Sequence, residues 1–220
     1  MVVIIIMIAL SDVDVGRSGK AKQMEKLSHK ARTRQRILDE AARVMREVGT
    51  EGIGVAALMK RAGLTHGGFY AHFSSREELV QAVLQQMFAD SAQRADAAIN
   101  AMDPADRLRQ LIDLYLSEAH RNHPAEGCPL PALVSEASRF PAEARKIFAA
   151  GMESVRARLA NPLRELSYPQ ADTLATTMLA EMIGALALAR ACPDEQQASD
   201  ILAASREALK SKAGLEKQAA

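Results

Sequence analysis

The chain has 220 residues, 48% of them hydrophobic, enough to bury a substantial core and to exclude a wholly disordered polypeptide. Its formal net charge of +1 conceals an asymmetry: from Arg17 to Arg76 thirteen basic residues stand against five acidic ones, a net +8, which leaves −7 on the remainder. A basic N-terminal module on an acidic body suits a protein that meets a polyanion with one end only.

The opening run Met1 to Leu10 is strongly apolar but about half the length a bilayer-crossing helix requires. It lacks a basic leader region and runs into Asp12 and Asp14, which argues against a secretory signal. Residues 1–27 are therefore expected to be a dispensable or poorly ordered extension, with Met7 and Met24 as alternative starts, and no membrane partner is expected.

From Ser28 to Val48, apolar Ile37, Ala41, Val44, Met45 and Val48 recur at helical steps with Arg32, Arg34, Arg36 and Arg43 between them. Gly49, Gly52 and Gly54 interrupt this amphipathic helix, and Val55 to Ala62 forms a short second one that Gly63 stops. Thr65 is positioned to cap a short third helix with its side chain, running through His66-Gly67-Gly68-Phe69-Tyr70-Ala71-His72-Phe73. Ser75 and Glu78 then make a capping box ahead of a fourth helix carrying Leu79, Val83 and Met87.

The rest reads as further helices. Pro104 opens one, and Pro129 or Pro131 opens a short one. Others span Ala142 to Ala160, Tyr168 to Ala191, and, after Pro193, Glu195 to Lys212. No segment alternates as a strand would. The expected fold is all-α: a three-helix helix-turn-helix domain over 28–75, then a helical-bundle regulatory and dimerisation domain over 76–220.

Two short helices joined by a glycine-containing turn and preceded by a longer helix make a DNA-binding arrangement whose last short helix enters the major groove. From Lys30 to about Leu84, with Gly49, Ala62-Gly63-Leu64, Phe69-Tyr70-Ala71-His72-Phe73 and Ser75-Arg76-Glu77-Glu78-Leu79, the chain resembles the TetR family of bacterial transcriptional regulators. The resemblance implies that His66, Gly67, Gly68, Tyr70 and His72, with Thr65 at the segment's start, lie at the groove and that Arg76 reaches phosphate. Lys30, Arg32 and Arg34 are expected to add sequence-independent phosphate contacts. Phe69 and Phe73, four apart on one stripe, read as core. Glycines cost about 1 kcal/mol each in a helix relative to alanine, so Gly67 and Gly68 need a reason other than helix stability, and close approach of backbone to DNA supplies one. Gly54 and Met59 depart from the family pattern, which usually has a capping serine or threonine and an alanine there.

The same resemblance implies a homodimer on a palindromic double-stranded operator, with recognition helices about 34–36 Å apart. It also implies a small-molecule effector, with repression as the commoner outcome. Met87, Tyr115, Phe148, Met152, Met178 and Met182 are candidate lining residues for an effector cavity, although ordinary core is the better explanation for most such side chains. The last two helices, with Ala180 and Gly184 four apart, are candidates for the dimer contact. His120, His123, Glu126 and Cys128 invite a metal reading, but Pro124 and Gly127 mark a helix end where such residues gather without metal; no cofactor is expected. Cys128 reads as a buried thiol, with a thiol sensor as the alternative. Cys128 and Cys192 form no disulfide framework and fit a reducing cytoplasm. No nucleophile elbow, Walker loop, dinucleotide fingerprint or zinc-protease helix occurs, so catalysis is not expected. The competing reading is a soluble ligand-binding protein without effective DNA binding.

Overall fold

Helix α1, His29–Val48, turns Ile37, Leu38, Ala41, Ala42, Val44 and Met45 inward, the stripe its periodicity predicts. In the computed structural model of the protein, residues 29–52 and 54–215 are described, and the extension 1–27 lies outside them. Among the described residues every regular element is helical. Helix α2, Val55–Arg61, buries Leu58 and Met59, and a 3₁₀ helix, His66–Ala71, follows it.

Helix α3, Arg76–Ala98, starts where Ser75 accepts the Glu78 N–H at 3.1 Å. The reciprocal bond of the capping box is displaced by one residue: the Glu78 carboxylate accepts from the Ser74 N–H and hydroxyl, both at 2.7 Å. Those bonds hold the Glu78 carboxyl below its ordinary pKa. α3 packs against α1 at its N-terminal end and against α7 further along.

The bundle continues with α4, Pro104–Tyr115, opened by Asp103 accepting from Asp106 N–H at 2.9 Å with Pro104 in the first turn. Then come α5, Glu118–Asn122, a 3₁₀ turn, Pro124–Glu126, and α6, Leu130–Ala137. α7, Ala142–Glu165, corrects the expected stop at Ala160: the helix passes through Pro162 to Glu165. Leu159, Ala160, Pro162 and Leu163 are all buried, so apolar packing continues across the proline.

α8, Ala171–Ala191, begins three residues later than Tyr168 suggested, because Tyr168 lies in the connecting turn and donates its hydroxyl to the Lys212 carbonyl at 2.5 Å. α9, Glu195–Lys212, has the expected bounds and is capped by Asp194 on Gln197 N–H at 2.7 Å.

One apolar core joins the two halves. Phe69 and Phe73 anchor its upper end, and Phe88 of α3 meets Phe148 of α7 edge-on at 5.6 Å in the body. α8 has the length and composition to cross a membrane, yet Met178, Leu179, Met182 and Leu186 are buried among its neighbours α7 and α9.

Candidate nucleic-acid interface and effector cavity

The turn between α2 and the 3₁₀ helix is built on Gly63. Its N–H meets the Lys60 carbonyl at 3.0 Å, Leu64 N–H meets Met59 at 2.8 Å, and Gly63 sits at φ +68°, where a side chain is strained. Arg36 of α1 donates to the Ala62 carbonyl and fixes this turn to the first helix.

The third helix is 3₁₀ rather than α, and Thr65 does not cap it with its side chain. The tighter turn brings Gly68 N–H to the Thr65 carbonyl at 3.1 Å, so the backbone satisfies the donor the hydroxyl was expected to meet. Thr65 is exposed.

The segment has two faces. Phe69 and Phe73 are each 1% exposed and stack at 5.6 Å, with the Arg34 guanidinium 4.6 Å above the Phe73 ring. His66, Gly67, Tyr70 and Ala71 form the outer face, and Tyr70 is 67% exposed. Gly68 is half-buried over Met59, which fills the interior beneath it. A methyl group built on Gly67 meets nothing within 4 Å. The fold itself therefore does not require glycine at that position.

His72 is half-buried beside α1. Burial, and then the charges of Lys30, Arg34 and His29, lower its pKa, and its Nδ1 is buried without a hydrogen-bond partner. The cations that depress the imidazolium are those that would attract phosphate. Phosphates placed there would raise the His72 pKa again, so DNA binding takes up a proton between the free and bound pKa values. Operator affinity should accordingly fall as pH rises from the lowered His72 pKa of the free protein to the raised pKa of the complex, and His72→Gln should flatten that dependence in fluorescence titrations. An equal slope in the variant would assign the effect to another group.

Arg76 is engaged within the chain: it pairs with Glu51 at 2.7 Å and donates to the Thr50 carbonyl at 2.5 Å. It thus braces the loop after α1, and a phosphate would have to compete with Glu51. Lys30 is exposed, while Arg32 and Arg34 are half-buried on the same helix.

A cavity of about 320 Å³ lies in the bundle. Its apolar wall comes from Ala92, Ala95 and Ala98 of α3, Leu111 and Leu114 of α4, Val155 and Leu159 of α7 and Met182 of α8. Tyr115, Ser91, His120 and Cys128 add polar groups, and Arg94, Arg158 and Glu126 also line it. Of the six sequence candidates the structure brings Tyr115 and Met182 to this cavity. Met87, Phe148 and Met178 are instead packed in the core, and Met152 is 42% exposed. The alanines were the missed signal: small residues at 92, 95 and 98 leave the space that methionines would have filled.

His120 holds the cavity floor. Its Nδ1–H donates to the Tyr115 carbonyl at 2.7 Å, and its Nε2 accepts from the Cys128 N–H at 3.0 Å, which fixes the neutral tautomer. Burial pulls its pKa down to about 4. Both ring nitrogens are thereby used within the chain, so His120 offers no lone pair to a metal. Burial pushes the Cys128 thiol up, away from the lowered value a thiol sensor needs.

Between cavity and helix-turn-helix sits Arg46, a buried arginine on α1. It donates to the carbonyls of Ala42 and Ala125 at 3.3 Å and of Met87 at 3.4 Å. Burial lowers its pKa to about 10. Thr50 also links the halves, donating its N–H at 3.0 Å and its hydroxyl at 2.7 Å to Glu136 of α6.

A helix-turn-helix carried on a helical bundle with a partly open cavity is the architecture that the described residues build. Comparison with known proteins identifies its family. Residues 37–83 match the family described as bacterial regulatory proteins, tetR family, and residues 104–204 match the transcriptional regulator LmrA/YxaF-like C-terminal domain. The chain belongs to the TetR family of bacterial transcriptional regulators.

Relatives include the HTH-type transcriptional regulator TtgR of Pseudomonas putida, 33% identical over 82 residues, covering 36% of this chain and 39% of that protein. The A-factor receptor protein of Streptomyces griseus is 33% identical over 63 residues, 29% of this chain and 23% of that protein. The matched stretch thus spans well under half of these relatives. Reduced Escherichia coli NemR shares the fold with a TM-score of 0.71 at 22% identity, over 81% of this chain and 96% of that one. A TetR-family regulator from Agrobacterium tumefaciens has a TM-score of 0.73 at 21% identity, over 83% and 98%.

Proposed function

We propose that this protein is a sequence-specific transcriptional repressor that binds a palindromic operator as a homodimer in the cytoplasm and is released by a small molecule held in the bundle cavity. Gly67 carries the first part of this reading. It lies on an exposed face, has open space around its missing side chain, and makes the helix less stable than alanine would. An outside surface that comes close to the backbone supplies the reason, and Tyr70 and His66 flank it.

Gly67→Ala should therefore leave melting unchanged or raise stability by up to about 1 kcal/mol, while operator affinity falls. The deciding measurement is binding to fragments of the protein's own promoter and adjacent intergenic region, at two salt concentrations, against scrambled competitor. Competitor-resistant binding that Gly67→Ala weakens supports the proposal. Weak binding to every fragment, erased by salt and indifferent to Gly67→Ala, favours a ligand-binding protein without an operator.

The dimer contact is assigned to α8 and α9. Thr173, Thr177, Ala180, Ala187 and Leu188 lie exposed along α8, with Leu188 at 63%, and Gly184 has open space at its Cβ. Small side chains on that face permit close approach of a partner helix.

A further inference from the structure

The recognition segment is short and chemically sparse. From Leu64 to Phe73 it contains no arginine, lysine, asparagine, glutamine, aspartate or glutamate. Those are the side chains that read the polar edges of bases: arginine or lysine meets guanine, asparagine or glutamine meets adenine in two bonds, and a carboxylate accepts from cytosine. Arginines around the segment are held within the chain. Arg36 donates to the Ala62 carbonyl, Arg61 pairs with Glu40, and Arg76 pairs with Glu51. Lys60 is exposed but stands on α2, the helix that crosses the DNA backbone in a helix-turn-helix.

What the outer face offers instead is small and apolar. At three residues per turn of a 3₁₀ helix, Gly67 and Tyr70 lie on one line and Ala71 on the next. Ala71 is exposed, as is the Tyr70 ring, which an edge-on contact with Phe69 at 5.3 Å holds in place. A methyl group gains from dispersion only when its partner lies about 3.5–4.0 Å away, so a face that uses one has to come close to the bases. The open space at Gly67 on the same face permits that approach. In the major groove the apolar group that matches a methyl and a ring edge is the C5-methyl of thymine.

We propose that the recognition segment reads thymine through its C5-methyl group, packed against Ala71 and the Tyr70 ring, and that A·T pairs therefore lie at the centre of each operator half-site. Six residues rising about 2.0 Å each cover about 12 Å, or about three to four base pairs. The inference rests on the operator-binding reading above and names the bases which that reading leaves open; Ala71 is the contact residue it adds.

Replacing thymine by uracil in a bound promoter fragment tests it with the wild-type protein. Deoxyuridine keeps every hydrogen-bonding group of thymidine and lacks only the methyl. Burying one such group is worth about a factor of four in affinity, so one substitution at the critical position should weaken binding about fourfold, and the symmetric pair about fifteenfold. Guanine replaced by 7-deazaguanine, which loses the N7 acceptor and keeps its base pairing, should cost less at every half-site position. In Ala71→Gly and in Tyr70→Ala the preference for thymine over uracil should shrink, because part of the surface that meets the methyl is gone.

A specifically bound operator in which no uracil substitution matters would overturn the inference and leave the regulator standing. A larger loss from 7-deazaguanine would do the same and assign readout to a hydrogen-bond donor such as His66 or Lys60. A thymine preference undiminished in both variants would place the methyl on other residues and overturn it equally. If either variant fails to fold, the wild-type comparison still decides. If no fragment resists scrambled competitor, the regulator reading and this inference fall together.

Discussion

Phe69→Ala and Tyr70→Ala, neighbours in sequence, are expected to fail in opposite ways. Phe69 is 1% exposed, stacked on Phe73 and edge-on to Tyr70 at 5.3 Å, so truncating it opens a cavity beneath the recognition segment. The cost should be about 3–5 kcal/mol, read as a lower denaturant midpoint at unchanged slope. That is a large fraction of a domain's stability, so DNA binding is lost because the 3₁₀ helix no longer docks. Tyr70 projects its ring outward, so Tyr70→Ala should move stability by no more than about 0.5 kcal/mol while weakening operator binding. Tyr70→Phe separates hydroxyl from ring: affinity reduced by a similar factor for every DNA sequence, with the salt slope unchanged because the hydroxyl is neutral, assigns the hydroxyl to phosphate. A destabilised Tyr70→Ala with unchanged affinity would mean that this face is structural.

The contrast between those two residues was legible in the sequence because helical periodicity puts positions 69 and 73 on one stripe and 70 on another. The same logic placed α1, α2 and α9 and the serine that caps α3. It failed where two devices satisfy the same need. Thr65 was expected to cap with its hydroxyl, but the 3₁₀ turn lets its own carbonyl take the Gly68 donor. Proline at 162 normally ends a helix, but the buried residues around it hold the chain in register. The cavity was harder still. Methionine and phenylalanine fill space as readily as they line it, so Met87, Phe148 and Met178 became core.

Arg46 lay outside that legibility altogether, since one arginine in a basic helix looks like its solvated neighbours until burial distinguishes it. Its guanidinium spans three carbonyls: Ala42 on its own helix, Met87 on α3, and Ala125, one residue before the cavity-lining Glu126. A ligand that displaces the 126–128 segment pulls on Ala125, and the guanidinium passes that displacement to α1 and so to the recognition segment packed on it. Arg46→Met keeps the length and apolar stem while cutting this link. Because a buried cation carries a desolvation cost, seen here in its pKa of about 10, the variant should melt at or above the wild-type temperature. Arg46→Ala, which also opens a cavity, should lose about 2–5 kcal/mol. The decisive quantity is the ratio of operator affinities with and without a small molecule bound in the cavity. In the wild type it should fall within the range of about 5–150-fold usual for coupled sites, and in Arg46→Met it should approach unity with ligand and operator still bound separately. An undiminished ratio would reassign the coupling to the Thr50–Glu136 link, the other polar bridge between the two halves.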